Sequence, residues 1–221
     1  MISHFSHSAV VCDQFPELQS LTFRIDNVRS EMEVAKDAAN FVEIAKIRLA
    51  KLPEGEFPEI QAWRRAFARM GLKPTQYRSA PEALLRRLRT GGELPNLHPL
   101  IVLCNALSVA YALPVAVFDC DKISGLLEVR PATGTECYRA FSGEEERPEV
   151  GEIIFADDAQ EAHARRWCHR QSAASAVSAI TRSAIIVVES MHEGGITSLS
   201  NFEASFFKTL ESCIRQHPLI S

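Results

Sequence analysis

Apolar residues change their spacing several times along this chain, and each spacing predicts an element. Residues 32–52 and 60–70 carry apolar side chains every three or four positions, which predicts two amphipathic helices. Residues 21–25 alternate apolar and polar side chains, which predicts a strand, and the short apolar run at 9–12 is interpreted as another strand. The N-terminal third is therefore expected to mix strands and helices.

Two further helices are predicted between residues 79 and 111. Ser79 and Glu82 have the spacing of a capping box, in which the hydroxyl and the carboxylate each accept a hydrogen bond from the other residue's backbone amide. Pro81 lies in the first turn, where a helix needs no amide donor. Residues 99–111 are apolar nearly all round, which predicts a helix buried at the centre of the fold.

From residue 114 onward the pattern is typical of strands separated by short turns. Residues 201–216 return to helical spacing. Helices before and after a strand-rich middle predict an α+β fold, with a β-rich mixed-sheet core flanked by several helices. The predicted strands are residues 115–118, 126–129, 152–155, 162–167 and 184–189.

The composition indicates one core that needs no metal or disulfide support. The chain has 221 residues, of which 46% are hydrophobic and 24% charged. Its longest clean apolar run, 184–188, is too short to cross a bilayer, and residues 1–13 lack the order of a secretion signal. Six cysteines without a CxxC pair disfavour a disulfide framework and structural zinc. We therefore expect a cytoplasmic protein without cofactor, metal or membrane partner.

Charge is distributed unevenly. The net charge is −4, but residues 64–89 contain eight basic residues against one glutamate, and residues 144–161 contain eight acidic residues against one arginine. A local basic patch can orient a polyanion even on a mildly acidic protein. Two oppositely charged, solvated faces would produce the same pattern.

The segment from Tyr77 to Asp121 resembles the start of the B3/B4 domain of phenylalanyl-tRNA synthetase beta subunits, and the resemblance extends over about residues 75–195. It implies a single domain over residues 1–221, with additional strands and helices at about 1–75 and a closing helix at about 198–216. It also implies binding of the tRNA acceptor end and hydrolysis of a wrong aminoacyl ester. The matching positions are Ser79, Pro81, Asn105, Pro114, Phe118, Asp119, the segment 151–157 and Glu189.

The chain departs from the synthetase pattern at the pocket. Ala116 stands where those domains carry a histidine, and Val102 and Cys104 stand where they carry Asp and Thr. The segment 165–171 is more similar to free-standing B3/B4 proteins. No motif of a class II aminoacylation domain is present, so a ligase is not predicted.

The resemblance and the residue chemistry together nominate site residues. Glu189, at the tip of an apolar strand, is predicted to accept a hydrogen bond from the ligand. His163 and His169 are candidates to replace the missing histidine as general base, so the predicted catalytic residues are these three. Stacking on an unpaired base is expected of Trp167. The predicted substrate-binding residues are Asn105, Ala116, Asp119, Trp167, Arg170 and Glu189, and the predicted RNA-binding residues are Arg64, Arg65, Arg78, Arg86, Arg87, Arg165 and Arg166.

These residues favour a protein that binds the acceptor end of tRNA and removes a mischarged amino acid in trans, with water attacking the ester. A non-catalytic tRNA or amino-acid binding module that has lost the editing histidine is the alternative, and a small-molecule enzyme using the same pocket stays open. DNA is not an expected partner.

Overall fold

Two β-sheets form the framework of the computed structural model, which describes residues 2–216 and the side chains of residues 5–213. The helices are α1 (Ala9–Gln14), α2 (Ala35–Leu49), α3 (Pro58–Arg69), α4 (Ala80–Arg89), α5 (Pro99–Tyr111) and α6 (Gly195–Gln216). The strands are β1 (Ile2–His7), β2 (Gln19–Asp26), β3 (Val115–Asp119), β4 (Gly125–Pro131), β5 (Tyr138–Arg139), β6 (Glu145–Glu146), β7 (Ile153–Asp157), β8 (Ala162–Arg165), β9 (Arg170–Gln171) and β10 (Ser183–Ser190).

The smaller sheet has the order β2-β10-β3, and its central strand pairs antiparallel with both neighbours. Every residue of β10 is buried, which explains why its sequence is a continuous apolar run rather than an alternating one. Ile186 and Val188 pack in the cluster formed with α5 and α6. Successive side chains of a strand point to opposite faces, so Ile185, Val187 and Glu189 face the other way.

The larger sheet has the order β1-β4-β7-β8-β9, with β1 parallel to β4 and the other neighbours antiparallel. Phe155 of β7 and Ala164 of β8 share a buried cluster with Ile185 and Val187 of the smaller sheet. Trp63 of α3 belongs to the same cluster. One face of β10 is therefore sandwiched against the larger sheet, and Glu189 lies on that face.

The α+β fold class is confirmed, and α5 spans the predicted residues. The interpretation of residues 9–12 as a strand is wrong, because they form the helix α1. Its N-cap is Ser8, whose Oγ accepts a hydrogen bond from the amide of Val11 at 3.4 Å. The closing helix begins at Gly195, earlier than predicted.

The predicted capping box is also wrong, although α4 begins where it was expected. Ser79 is the N-cap, but its side chain makes no cap hydrogen bond. Glu82 turns away from it and pairs with Arg64 at 2.6 Å. A nearby guanidinium is a stronger partner for a buried carboxylate than a backbone amide, so the tertiary contact replaces the local motif.

None of the helices within residues 2–216 has an apolar stretch long enough to cross a bilayer.

Candidate functional site

A pocket opens between the two sheets, beside the N-terminus of α4. Its walls come from β3, β7, β8, β9 and β10 and from the turn that joins β8 to β9. Its volume is about 60 Å³, which is space for roughly four water molecules. The lining residues are Ala80, Pro114, Val115, Ala116, Phe118, Phe155, Ala164, Trp167, Cys168, His169, Arg170, Gln171 and Glu189.

Glu189 is the acidic residue of this lining. It is 2% exposed. Its Oε1 accepts two hydrogen bonds, from the indole Nε1 of Trp167 at 2.9 Å and from the imidazole Nε2 of His7 at 2.7 Å. Within the described part of the chain, no donor reaches its Oε2. One carboxylate oxygen is therefore held in place while the other is available to a ligand in the pocket.

A strained turn brings Trp167 to Glu189. Arg166 and Trp167 have φ angles of 46° and 59°, a left-handed conformation that large side chains rarely adopt. Two contacts stabilise the turn: the Arg166 amide donates to Oε1 of Glu152 at 3.0 Å, and the Trp167 amide donates to the Ile153 carbonyl at 2.6 Å. Such conformations concentrate at binding and catalytic sites, where the fold holds a group that cannot relax.

The mouth of the pocket is basic. Arg170 is exposed, and His169 is half-buried with its Nδ1 2.7 Å from the carbonyl of Arg78. Burial, together with the charges of Arg166 and Arg170, lowers the pKa of His169, and the hydrogen bond to Arg78 only partly opposes this. A neutral imidazole beside fixed cations suits contact with an anionic, hydrogen-bonding ligand.

Cysteine chemistry is disfavoured at this site. Burial and the nearby charge of Glu189 raise the pKa of the Cys168 thiol well above its ordinary value. Burial likewise raises the pKa of Cys104 in α5. Thiolate is the nucleophilic form, so neither side chain is primed for attack at neutral pH.

Five of the predicted substrate-binding or catalytic residues line this pocket: Ala116, Trp167, His169, Arg170 and Glu189. Three others do not. Asn105 lies in α5, outside the pocket lining. Asp119 accepts a hydrogen bond from the Thr181 hydroxyl at 2.6 Å and closes the turn after β3. His163 is fully buried, with its Nε2 3.3 Å from Asp157, so it is not placed to activate a water in the pocket.

Two residues in the pocket region have different surroundings from those predicted. Trp167 is fully buried, with its ring packed edge-on against Phe15 and Trp63, so it is not free to stack on a base. Arg165 is 5% exposed and forms ion pairs with Glu152 and Glu146. A phosphate contact by Arg165 would break those pairs, so this geometry does not support its predicted role.

Residues 62–202, more than half of the chain, match the B3/4 domain family. The chain belongs to that family. The resemblance noted from the sequence is thereby confirmed. The chain is 31% identical over 94 residues to the phenylalanine–tRNA ligase beta subunit of Cereibacter sphaeroides, a match that spans 42% of this chain and 12% of that protein.

The solved N-terminal fragment of the phenylalanyl-tRNA synthetase beta subunit from Pyrococcus horikoshii is similar over 96% of this chain and 49% of that fragment, with 9% identity and a TM-score of 0.49. The B3/4 chain thus spans less than half of each relative named here.

The basic residues of the B3/4 chain divide into paired and unpaired side chains. Glu82 pairs with Arg64 and Arg78, and Glu54 pairs with Arg86 and Arg89. Among the described side chains, Arg65 and Arg87 are exposed and have no ion-pair partner. Arg166 lies over the ring of Tyr77, with its guanidinium carbon 4.5 Å from the ring centroid. Arg65, Arg87 and Arg166 are thus the predicted RNA contacts whose charge is not already neutralised.

Sequence reasoning missed His7, whose imidazole contacts Glu189 from the N-terminal strand. The first seven residues have apolar side chains at 1, 2 and 5, which is not the alternation of a strand. No motif surrounds His7, so the local sequence held no signal for it. Among the described residues, no three His, Cys, Asp or Glu side chains are grouped as metal ligands would be.

Proposed function

We propose that this B3/4 protein hydrolyses the ester of a mischarged aminoacyl-tRNA in trans, with the aminoacyl group held in the pocket of Glu189. The observation that carries the proposal is the open Oε2 of Glu189 in a pocket that is otherwise mainly apolar. Membership of the B3/4 family supports the same reading.

The pocket chemistry fits an amino-acid side chain or its ammonium group. Apolar walls from Val115, Phe118 and Phe155 favour an apolar group, and a carboxylate whose Oε2 receives no donor from the described residues favours a ligand N–H or O–H. The ligand would complete the hydrogen bonding of Glu189, and a ligand without a donor would leave that oxygen unsatisfied. A side-chain donor at this oxygen would let the pocket select among amino acids, whereas the ammonium group is common to all of them.

Hydrolysis requires a water molecule and a leaving ribose oxygen. The water oxygen forms a bond to the ester carbonyl carbon, the bond from that carbon to the ribose oxygen breaks, and a proton from the water ends on the ribose oxygen. The neighbouring ribose hydroxyl relays that proton in our proposal. The protein then contributes mainly by positioning, which can lower a barrier by several kcal/mol.

The RNA would approach over the basic mouth. Arg170 and the half-buried His169 lie at the pocket entrance, and Arg166 lies next to them along the chain. Arg65 and Arg87 are exposed on the neighbouring helices α3 and α4. Arg65, Arg87 and Arg166 can contact backbone phosphates without giving up an ion pair to another described residue, whereas Arg170 already lies 3.9 Å from Glu146. Phosphate contacts are the sequence-independent part of nucleic-acid binding.

The test is deacylation of a panel of tRNAs, each charged with a correct or an incorrect amino acid, by the wild type and by Glu189→Gln. Glutamine keeps the size of the side chain. Its oxygen can accept from Trp167 and His7, so its amide nitrogen would face the pocket as a donor instead of an acceptor. We expect roughly 10- to 100-fold lower kcat/KM in the variant. Wild-type inactivity on the whole panel would overturn the hydrolase proposal.

A non-catalytic binding module is the second candidate, and Ala116 favours it. Ala116 lines the pocket at the position of the synthetase histidine. If the protein only binds, Ala116→His creates or raises hydrolysis while the affinity for charged tRNA persists. If the protein already hydrolyses esters, the wild type is active and the same substitution changes the rate less than the loss of Glu189 does.

A further inference from the structure

His7 brings an imidazole to the pocket from a distant part of the sequence. It ends β1, 182 residues before Glu189, and its Nε2 lies 2.7 Å from Glu189 Oε1. The His7 side chain is 9% exposed. The imidazole therefore lies at the carboxylate itself, although His7 is not part of the pocket lining.

Strand pairing fixes the place of His7. β1 runs parallel to β4 with His7 opposite Val129, and the next amide, that of Ser8, donates to the Val129 carbonyl at 2.9 Å. The ring of Phe5 meets the imidazole edge-on at 5.0 Å between centroids and stacks on Phe155 of the pocket wall. The strand pairing and the pocket wall thus fix the position of the imidazole.

The two donors to Glu189 occupy only Oε1, so its Oε2 can still accept a hydrogen bond. Trp167 and His7 both donate to Oε1, and neither is an arginine or lysine. Two donors on one oxygen resist rotation of the carboxylate, so Oε2 stays turned away from them and toward the cavity that Glu189 lines. With only Trp167 left, the carboxylate could rotate about a single hydrogen bond.

We propose that His7 is a positioning residue for Glu189, and that it holds the carboxylate so that Oε2 meets the donor group of the ligand. The inference rests on the proposed function, in which that ligand is the aminoacyl end of a charged tRNA. His7 acts through Glu189 and needs no contact with the ester. Ala116 stands where the synthetase domains carry a histidine. In our proposal, His7 places an imidazole at the same pocket from another strand, where it orients Glu189.

The experiment compares His7→Gln with His7→Leu. Glutamine can donate a hydrogen bond to Oε1 from a side-chain nitrogen, and leucine cannot. We expect His7→Leu to raise KM for charged tRNA at least tenfold with a smaller change in kcat, and His7→Gln to restore KM to within about threefold of the wild type. Equal effects of the two variants would overturn the proposal, because a purely packing role would not distinguish them by hydrogen bonding.

The matched control is His192→Leu. His192 is also partly buried and hydrogen bonded, with its Nδ1 2.7 Å from Ser190 Oγ and its Nε2 3.1 Å from Ser198 Oγ, but it does not line the pocket. Its loss is expected to leave KM unchanged. A rise in KM equal to that of His7→Leu would show a general effect of losing a buried histidine and would count against the proposal.

A second readout separates this inference from the hydrolase proposal. The indole N–H of Trp167 shares Oε1 with His7, so its proton NMR resonance reports on the carboxylate without any turnover. We expect the resonance to shift in His7→Leu and to return toward the wild-type position in His7→Gln. Adenosine carrying a 3′-aminoacylamide, a probe that cannot be hydrolysed, should shift the wild-type resonance and lose affinity in His7→Leu. An indole resonance that is the same in all three proteins would overturn the role of His7, even if the wild type deacylates tRNA.

Discussion

Buried carboxylates occur in the Glu189 pocket and on the basic surface of α3 and α4, but the two regions satisfy them differently. At the helices, Glu82 of α4 is paired with Arg64 of α3 at 2.6 Å, and Glu54, in the turn before α3, is paired with Arg89 of α4 at 2.5 Å. In the pocket, Glu189 receives hydrogen bonds from an indole and an imidazole, and its second oxygen has no partner among the described residues. The first arrangement ties elements together, and the second leaves an acceptor for a ligand.

Most arginines of the basic segment, residues 64–89, already have an acidic partner. Glu54, Glu82 and Glu17 neutralise much of the charge that the sequence concentrates between residues 64 and 89. Burial alone would raise the pKa of Glu54, but the hydrogen bond from Arg89, a backbone hydrogen bond and the charges of Arg89 and Arg86 together outweigh it and lower that pKa. Much of the apparent basic patch is therefore structural, and the cations open to RNA are fewer than the count of arginines suggests.

The largest effect on stability is expected for Glu82→Ala. Glu82 is 1% exposed, and its loss leaves Arg64 and Arg78 half-buried without their partner. We expect the free energy of unfolding to fall by about 2–3 kcal/mol, measured by urea denaturation. Glu17→Ala is the control, because the Glu17–Arg69 pair is about 40% exposed and such pairs contribute less than about 1 kcal/mol. Similar losses in both variants would erase the distinction between buried and surface pairs.

Trp167→Phe should have the next largest effect and should act on the pocket instead. Phenylalanine keeps most of the packing on Phe15 and Trp63 but cannot donate to Glu189. We expect the free energy of unfolding to fall by about 1–2 kcal/mol, measured by urea denaturation, and kcat/KM for deacylation to fall by roughly tenfold.

Trp63→Phe is the matched control for that prediction. Trp63 is as buried as Trp167 and touches it, but its Nε1 has no hydrogen-bond partner within the described residues. Its substitution removes similar volume and no hydrogen bond. If the two variants lose the same deacylation activity, packing and not the hydrogen bond to Glu189 explains the loss.

Sequence patterns predicted most elements because those patterns are local. The all-apolar run with a proline at the first helical position defined α5, and the apolar run of β10 with its terminal carboxylate identified Glu189. Strand alternation then places Glu189 on the same face as Ile185 and Val187. Elements that depend only on their local sequence could therefore be predicted from that sequence.

Long-range partners could not be predicted in this way. The β1–β4 pairing that brings His7 to Glu189 joins segments more than a hundred residues apart, and the first residues lack the alternation of a strand. The capping box at Ser79 failed because Arg64 competes for Glu82. Arg165, Arg166 and Arg170 look alike in the sequence, yet a turn in which Arg166 and Trp167 adopt the left-handed conformation buries the first and exposes the last.

A smaller effect, on tRNA affinity, is predicted when unpaired arginines of α3 and α4 are removed. In the double variant Arg65→Ala/Arg87→Ala, two exposed cations without ion-pair partners in the described chain are lost. We expect about tenfold weaker tRNA binding and a salt dependence of log K reduced by about 2, one unit for each phosphate contact. Filter binding or fluorescence anisotropy at several salt concentrations measures both.

Lys208→Ala is the control for the RNA prediction. Lys208 is exposed on α6, which packs against the other face of the smaller sheet from the pocket. Its substitution also removes one positive charge, so it tests whether location or net charge matters. Per charge removed, an equal loss of tRNA affinity would mean that α3 and α4 are not a specific RNA surface.

The smallest predicted effect concerns pH, and it contrasts the neutral imidazole at the pocket mouth with the charged groups on the helices. Burial lowers the pKa of His169 below its ordinary value of 6.5. As the pH falls, the unfolded chain therefore binds the proton first, so the contribution of His169 to stability is complete above about pH 6.5 and is lost as the pH falls toward the folded pKa.

His169→Gln should show a shallower loss of unfolding free energy than the wild type between pH 7 and 5, measured by urea denaturation at each pH. His98 and His192, whose pKa values burial also lowers, are present in both proteins, so the difference between the curves isolates His169. Parallel curves would mean that the pKa of His169 is the same in the folded and the unfolded chain, as for a solvated surface histidine.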